Sequence, residues 1–174
     1  LEGRPQVCEL GAASKAQGHL MGGGSRLRDL DGNERWRQGV GRVVVASPDG
    51  TQVAVSHDKQ VSIFDAASGE QKTVIEAGGY VNNICWISEG LALNTTEKIV
   101  VLTLDGEVLR AVESFGDADI YCGSLTHHGD TLYAIDSNDR LLVAIDSTTG
   151  DVTAKEQLSF YPSDVYAVGE QLVL

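Results

Sequence analysis

Apolar residues along this chain fall in short runs, each closed by Gly, Asp, Asn or Ser. Val53, Val55 and Ile63 alternate with polar neighbours, the period-two pattern of a strand with one packed face. The runs VVV (43–45) and IVVL (99–102) are continuously apolar, as expected of strands covered on both faces. Val, Ile, Leu, Thr and Tyr dominate these runs and favour extended backbone. No stretch sustains a helical period. The closing residues supply the positive φ or the side-chain-to-backbone bonds that turns require, and Asp49-Gly50 and Asp105-Gly106 predict tight hairpins. The pattern predicts an all-β chain.

The turns also come back at intervals. Asp31-Gly32, Ser68-Gly69, Asp105-Gly106 and Thr149-Gly150 each separate two strand-like runs, with their glycines 37, 37 and 44 residues apart. A period near 40 holding several short strands marks a β-propeller blade, here of four antiparallel strands. Aligned on those glycines, full blades span 42–79, 80–116 and 117–162. Partial ones span 26–41, matching the last hairpin of a blade, and 163–174, matching its first strand and part of its second. Closed propellers typically carry about four to eight blades, so the chain reads as an incomplete part of a larger propeller. Residues 1–25 are rich in Gly, Ala and Ser and end in MGGGS, which predicts a flexible arm before the blades.

Charge divides along the same line. Residues 1–42 hold seven Lys/Arg against five Asp/Glu, whereas residues 43–174 hold six against twenty. A body this acidic repels phosphates, so nucleic acid is excluded as a partner, and a basic protein surface becomes a natural one. No run reaches the roughly 18 apolar residues that span a bilayer. Cys8, Cys85 and Cys122 are odd in number, leaving at least one unpaired within the chain. Cys85 and Cys122 lie 37 residues apart, one repeat, among apolar residues of first strands, where a thiol behaves as a small buried hydrophobe.

The stretch SPDGTQVAVSHDKQVSIFDAASGE (47–70) resembles a unit of the WD-repeat family. In that family an Asp in the turn before the third strand knits the blade together. The resemblance implies this role for Asp58 and Asp139, with Glu97 standing in the middle unit. Phe64-Asp65 and Ile145-Asp146 match the aromatic-Asp ending of the third strand. No unit opens with Gly-His or ends in Trp-Asp. The segment LDGNERWRQ (30–38) instead resembles the quinoprotein-like (PQQ-like) repeat, whose last strand carries a Trp after a turn glycine. Gly32, Gly69, Gly106 and Gly150 are then structural turn residues of the blades.

Candidate chemistry is thin. A quinone cofactor needs an aromatic platform and a metal-binding carboxylate, and only Trp36 and Trp86 are on offer, so no cofactor is expected. His127 and His128 are adjacent and would point to opposite faces of a strand, with no Cys or His at zinc-like spacing. Asp136, Asn138 and Asp139 offer oxygens but lack the twelve-residue loop and distal Glu of an EF-hand. No nucleophile elbow or phosphate loop occurs. Asn94-Thr95-Thr96 forms a sequon, making Asn94 a glycan acceptor in a lumenal or secreted setting. The reading is a non-catalytic propeller that binds other protein subunits as a scaffold or assembly member. The alternative is a ligand-binding or catalytic propeller with its site at the central channel mouth.

Overall fold

The computed structural model describes residues 43–113, 115 and 122–174, with the backbone alone at Cys122, and the backbone of five strands between residues 6 and 40. In that N-terminal part, β1 (Gln6–Leu10), β4 (Gly24–Asp29) and β5 (Glu34–Val40) form one sheet in the order β1-β4-β5. A small hairpin joins β2 (Lys15–Ala16) to β3 (His19–Leu20). Part of the stretch expected to form an arm, residues 1–25, falls in these strands, and the rest lies outside the described residues. The run QVCEL pairs in register along β4, from Gln6 opposite Asp29 to Leu10 opposite Ser25. Its ladder bonds order a segment that Gly, Ala and Ser content alone reads as linker.

Three four-stranded antiparallel sheets follow. The first holds β6 (Val44–Ala46), β7 (Gln52–His57), β8 (Gln60–Asp65) and β9 (Gln71–Glu76). The second holds β10 (Val81–Ile87), β11 (Gly90–Thr95), β12 (Ile99–Leu102) and β13 (Val108–Val112). The third holds β14 (Cys122–His128), β15 (Thr131–Asp136), β16 (Leu141–Asp146) and β17 (Val152–Gln157). A last hairpin joins β18 (Tyr166–Val168) to β19 (Gln171–Val173). Each sheet meanders, every strand pairing with the next in sequence, and the first strands β6, β10, β14 and β18 lie beside one another. These are propeller blades with their first strands innermost, and among the described residues there is no helix.

The core lies between blades rather than inside them. Ala54, Val61, Ile63 and Ile75 of the first blade meet Ile84, Leu91, Leu93 and Val100 of the second. Ala92, Ile99, Val101 and Val112 of the second meet Leu125, Leu132, Val143 and Ile145 of the third. Period-two geometry sends neighbours on a strand to opposite seams. That is why β12 reads IVVL without a polar break: Val100 and Leu102 face the first blade, Ile99 and Val101 the third, all at most 2% exposed. The VVV run follows the same rule at half burial, Val43 and Val45 facing one way and Val44 the other.

The recurring glycines close the turns between third and fourth strands. Gly69, Gly106 and Gly150 have φ of +73°, +87° and +83°, conformations that a Cβ disfavours. Gly69 N–H donates to the Asp65 carbonyl at 2.9 Å, Gly150 N–H to Asp146 at 2.8 Å, and Gly106 N–H to Thr103 at 3.0 Å, in a turn one residue shorter. A Cβ on Gly106 would stand 3.6 Å from Ile75 of the preceding blade, and one on Gly150 would stand 3.8 Å from Arg110 and Val112 of its predecessor. The Gly106 and Gly150 turns therefore rest on the outer strand of the blade before them. Gly32 lies outside the described residues.

Candidate functional site

The residues expected to knit the blades, Asp58, Glu97 and Asp139, do not occupy one structural position. They lie one, two and three residues beyond the end of their second strands. All three are exposed. Asp58 takes φ of +49° in a tight turn, and its carbonyl accepts the Val81 N–H at 3.1 Å. The side chains that hold these turns are the strand-terminal ones. Asp136, 1% exposed, accepts the N–H groups of Asn138 and Asp139 at 2.9 and 3.0 Å through Oδ1. Thr95 Oγ1 accepts those of Glu97 and Lys98 at 3.3 and 3.1 Å. The signal available was the Asx- and ST-turn preference of Asp and Thr two residues before a turn's apex, which the family alignment displaced. Oδ1 of Asp136 is engaged by backbone, and among the described residues no three His, Cys, Asp or Glu side chains cluster as a metal site.

A second set of carboxylates organises the outer turns. Asp65 Oδ1 accepts Ala67 N–H at 3.1 Å and Ser68 N–H at 2.9 Å, and its Oδ2 meets Lys72 Nζ at 3.1 Å. Asp146 repeats the arrangement with Thr148 and Thr149 N–H at 2.7 and 2.9 Å. Both carboxyls are held below the ordinary range, Asp65 chiefly by the Ser68 N–H and Asp146 chiefly by that of Thr149.

A concavity lined by described residues lies between the first and second blades, on the face that carries the turns from first to second strand. It is a cleft of about 380 Å³. One wall is the β6–β7 turn with Pro48, Asp49 and Thr51, the other the β10–β11 turn with Glu89, and Trp86 and Leu104 add apolar surface. Trp86 is fixed by its indole N–H, which donates to the Val45 carbonyl of the first blade at 3.2 Å. Asp49 accepts the Ser47 hydroxyl at 2.6 Å and the Thr51 N–H at 3.0 Å, and the Ser47 bond is the main reason its carboxyl is held low. Glu89 is held low by Arg110, whose guanidinium reaches it in a two-pronged pair at 2.8 and 3.1 Å. Arg110 also donates to the Ser147 carbonyl of the third blade, so one side chain links two blades at the rim.

The remaining candidates resolve individually. Asn94, the sequon residue, is fully buried in β11, between Asn83 and Ile99 in the ladder, where the folded sheet leaves little room for a glycan. Cys85 and Cys122 are not repeat partners: Cys122 pairs with Asp136 as Val81 pairs with Thr95, whereas Cys85 pairs with Ala92. Burial pushes the Cys85 thiol up to about 12, which keeps it protonated and unreactive at neutral pH. His127 and His128 end β14; burial pushes the first down, and His128 Nε2 stands 3.7 Å from Glu170. Trp36 lies on β5, among residues whose side chains are not described, and Trp86 is a half-buried cleft residue.

No family model matches the chain, and no curated protein is significantly similar to it in sequence. Solved structures are similar in fold. BamB from Moraxella catarrhalis superposes with a TM-score of 0.67 at 14% identity, over 87% of this chain and 49% of that one. The WD40 domain of Pan2 from Neurospora crassa gives 0.61 at 8% identity, over 72% and 40%. The hydrazine synthase of Kuenenia stuttgartiensis gives 0.63 at 15% identity, over 72% and 38%. The chain thus spans less than half the length of each, and the likeness shows a propeller-type fold. A fold shared by a WD40 domain and a synthase leaves function to the site.

Proposed function

We propose that this chain is a non-catalytic propeller body that holds a protein partner as a scaffold or subunit of a multiprotein assembly. The observation that carries this reading is the use made of its carboxylates. Asp49, Asp65, Glu89 and Asp146 are all held low by hydrogen bonds or an ion pair that builds a turn or joins blades. A general acid at neutral pH needs the opposite, a carboxyl raised by burial or by a like charge. What these bonds create is an acidic exterior fixed on a rigid frame, suited to electrostatic docking.

The test is isolation of the native polypeptide from its source in low salt, with cross-linking mass spectrometry of what accompanies it. A stoichiometric protein companion cross-linked to the blade surfaces, released as salt rises to about 0.5 M, is the expected result. A lone monomer that turns over a small molecule would overturn the reading.

A further inference from the structure

The cleft between the first two blades has a composition that selects its occupant. Among the described residues its lining includes two carboxylates, Asp49 and Glu89, and no Lys or Arg. Glu89 already faces Arg110. Asp49 faces no cation among the described residues: its Oδ1 takes the Ser47 and Thr51 donors, and its Oδ2 takes the Thr51 hydroxyl at 2.9 Å with lone-pair capacity left over. Those same bonds fix the carboxylate in place and keep it ionised, so an incoming cation meets an oriented charge with no rearrangement. The floor beside it is apolar, the ring of Trp86 with Leu104. Trp86 cannot swing away without breaking its bond to Val45.

An anion at the rim and an aromatic floor fit one kind of side chain: a long apolar stem ending in a positive charge. A volume of about 380 Å³ is at the small end of the usual range for ligand pockets, and takes one or two side chains rather than a folded surface. The surrounding body, with twenty Asp/Glu against six Lys/Arg over residues 43–174, adds a long-range field of the same sign. We infer that the cleft lined by Asp49, Trp86 and Leu104 is a docking site for a Lys or Arg side chain on an extended segment of a partner protein. This rests on the scaffold reading above and names where and by what chemistry the partner is gripped.

The probe is a capped pentapeptide, Gly-Leu-Lys-Leu-Gly, with counterparts carrying Arg or Glu at the centre, titrated into ¹⁵N-labelled protein. The Lys and Arg peptides should shift the Trp86 indole N–H and the Asp49 and Gly90 amides in a saturable way, and the Glu peptide should not. Asp49→Asn keeps an acceptor at Oδ1 and should weaken binding about tenfold, the scale of one charge-assisted contact. Glu156→Gln on the exposed outer strand β17 should leave it unchanged. Shifts that map elsewhere, equal response to the Glu peptide, or unchanged affinity in Asp49→Asn would each overturn the inference. The two readings fail separately: a native companion that binds Asp49→Asn as well as the wild type removes the cleft and leaves the scaffold standing, whereas no companion at all removes the scaffold.

Discussion

The indole N–H of Trp86, in the second blade, donates to the main-chain carbonyl of Val45, 41 residues earlier in the first, at 3.2 Å. The bond closes one end of the seam that the buried aliphatic residues fill. Trp86→Phe keeps most of the apolar contact and leaves the carbonyl without its indole donor. A loss of about 1 kcal/mol is expected, or a fall of about 2–4 °C in Tm for a chain of this size. Urea and thermal unfolding followed by circular dichroism would measure it, and an unchanged midpoint would show that water replaces the indole without penalty.

Gly90 should be the least replaceable described glycine. A Cβ built on it would lie 2.1 Å from the Leu102 carbonyl oxygen, at φ of +152°. Backbone atoms cannot yield as a side chain can, so Gly90→Ala should cost about 3 kcal/mol or more, or abolish folding. Gly50→Ala, at φ of +69° with open space around it, should cost about 1 kcal/mol from backbone strain alone. Equal losses in the two variants would refute the steric account.

Asp136 and Asp139 make a matched pair for mutation. Asp136→Ala removes a buried acceptor from two turn N–H groups and should destabilise by about 2 kcal/mol. Asp139→Ala, at an exposed position in the same turn, should stay within about 0.5 kcal/mol of wild type. The reverse order would restore the role that the WD-repeat resemblance implies for Asp139.

Acid sensitivity follows from the lowered carboxyls. In the folded chain Asp49, Asp65, Glu89 and Asp146 bind protons more weakly than they do unfolded. Their contribution is therefore complete above the unfolded values near pH 4 and is lost as pH falls through and below them. The urea midpoint should change little from pH 7 to about 5 and drop steeply below about 4. In Asp65→Asn, which removes one such group, the acid limb should be shallower, and an identical limb would separate Asp65 from the effect.

Most of the architecture was legible in the chain. The repeat glycines marked the third-to-fourth-strand turns because only a residue without Cβ sits easily at positive φ there, and the unbroken IVVL run announced a strand with two covered faces. What escaped the sequence was register. A turn one or two residues longer leaves the hydrophobic pattern intact while shifting which polar residue reaches the backbone, so Asp58, Glu97 and Asp139 looked equivalent when Asp136 and Thr95 held the turns. The burial of Asn94 was hidden for a related reason: a sequon says nothing about which side of a sheet its first residue faces. The cleft was illegible because its two walls come from turns about 40 residues apart that meet only when blades stack.

Because the apolar clusters straddle neighbouring sheets, the cooperative element of this molecule is the seam and not the blade. Removing one blade would not subtract a module; it would strip two seams and leave two oily faces looking for cover. Shortened versions cut at sheet boundaries should therefore self-associate. A break in an exposed first-to-second-strand turn such as Gly129–Asp130, which leaves both faces of its sheet clad, should be survivable.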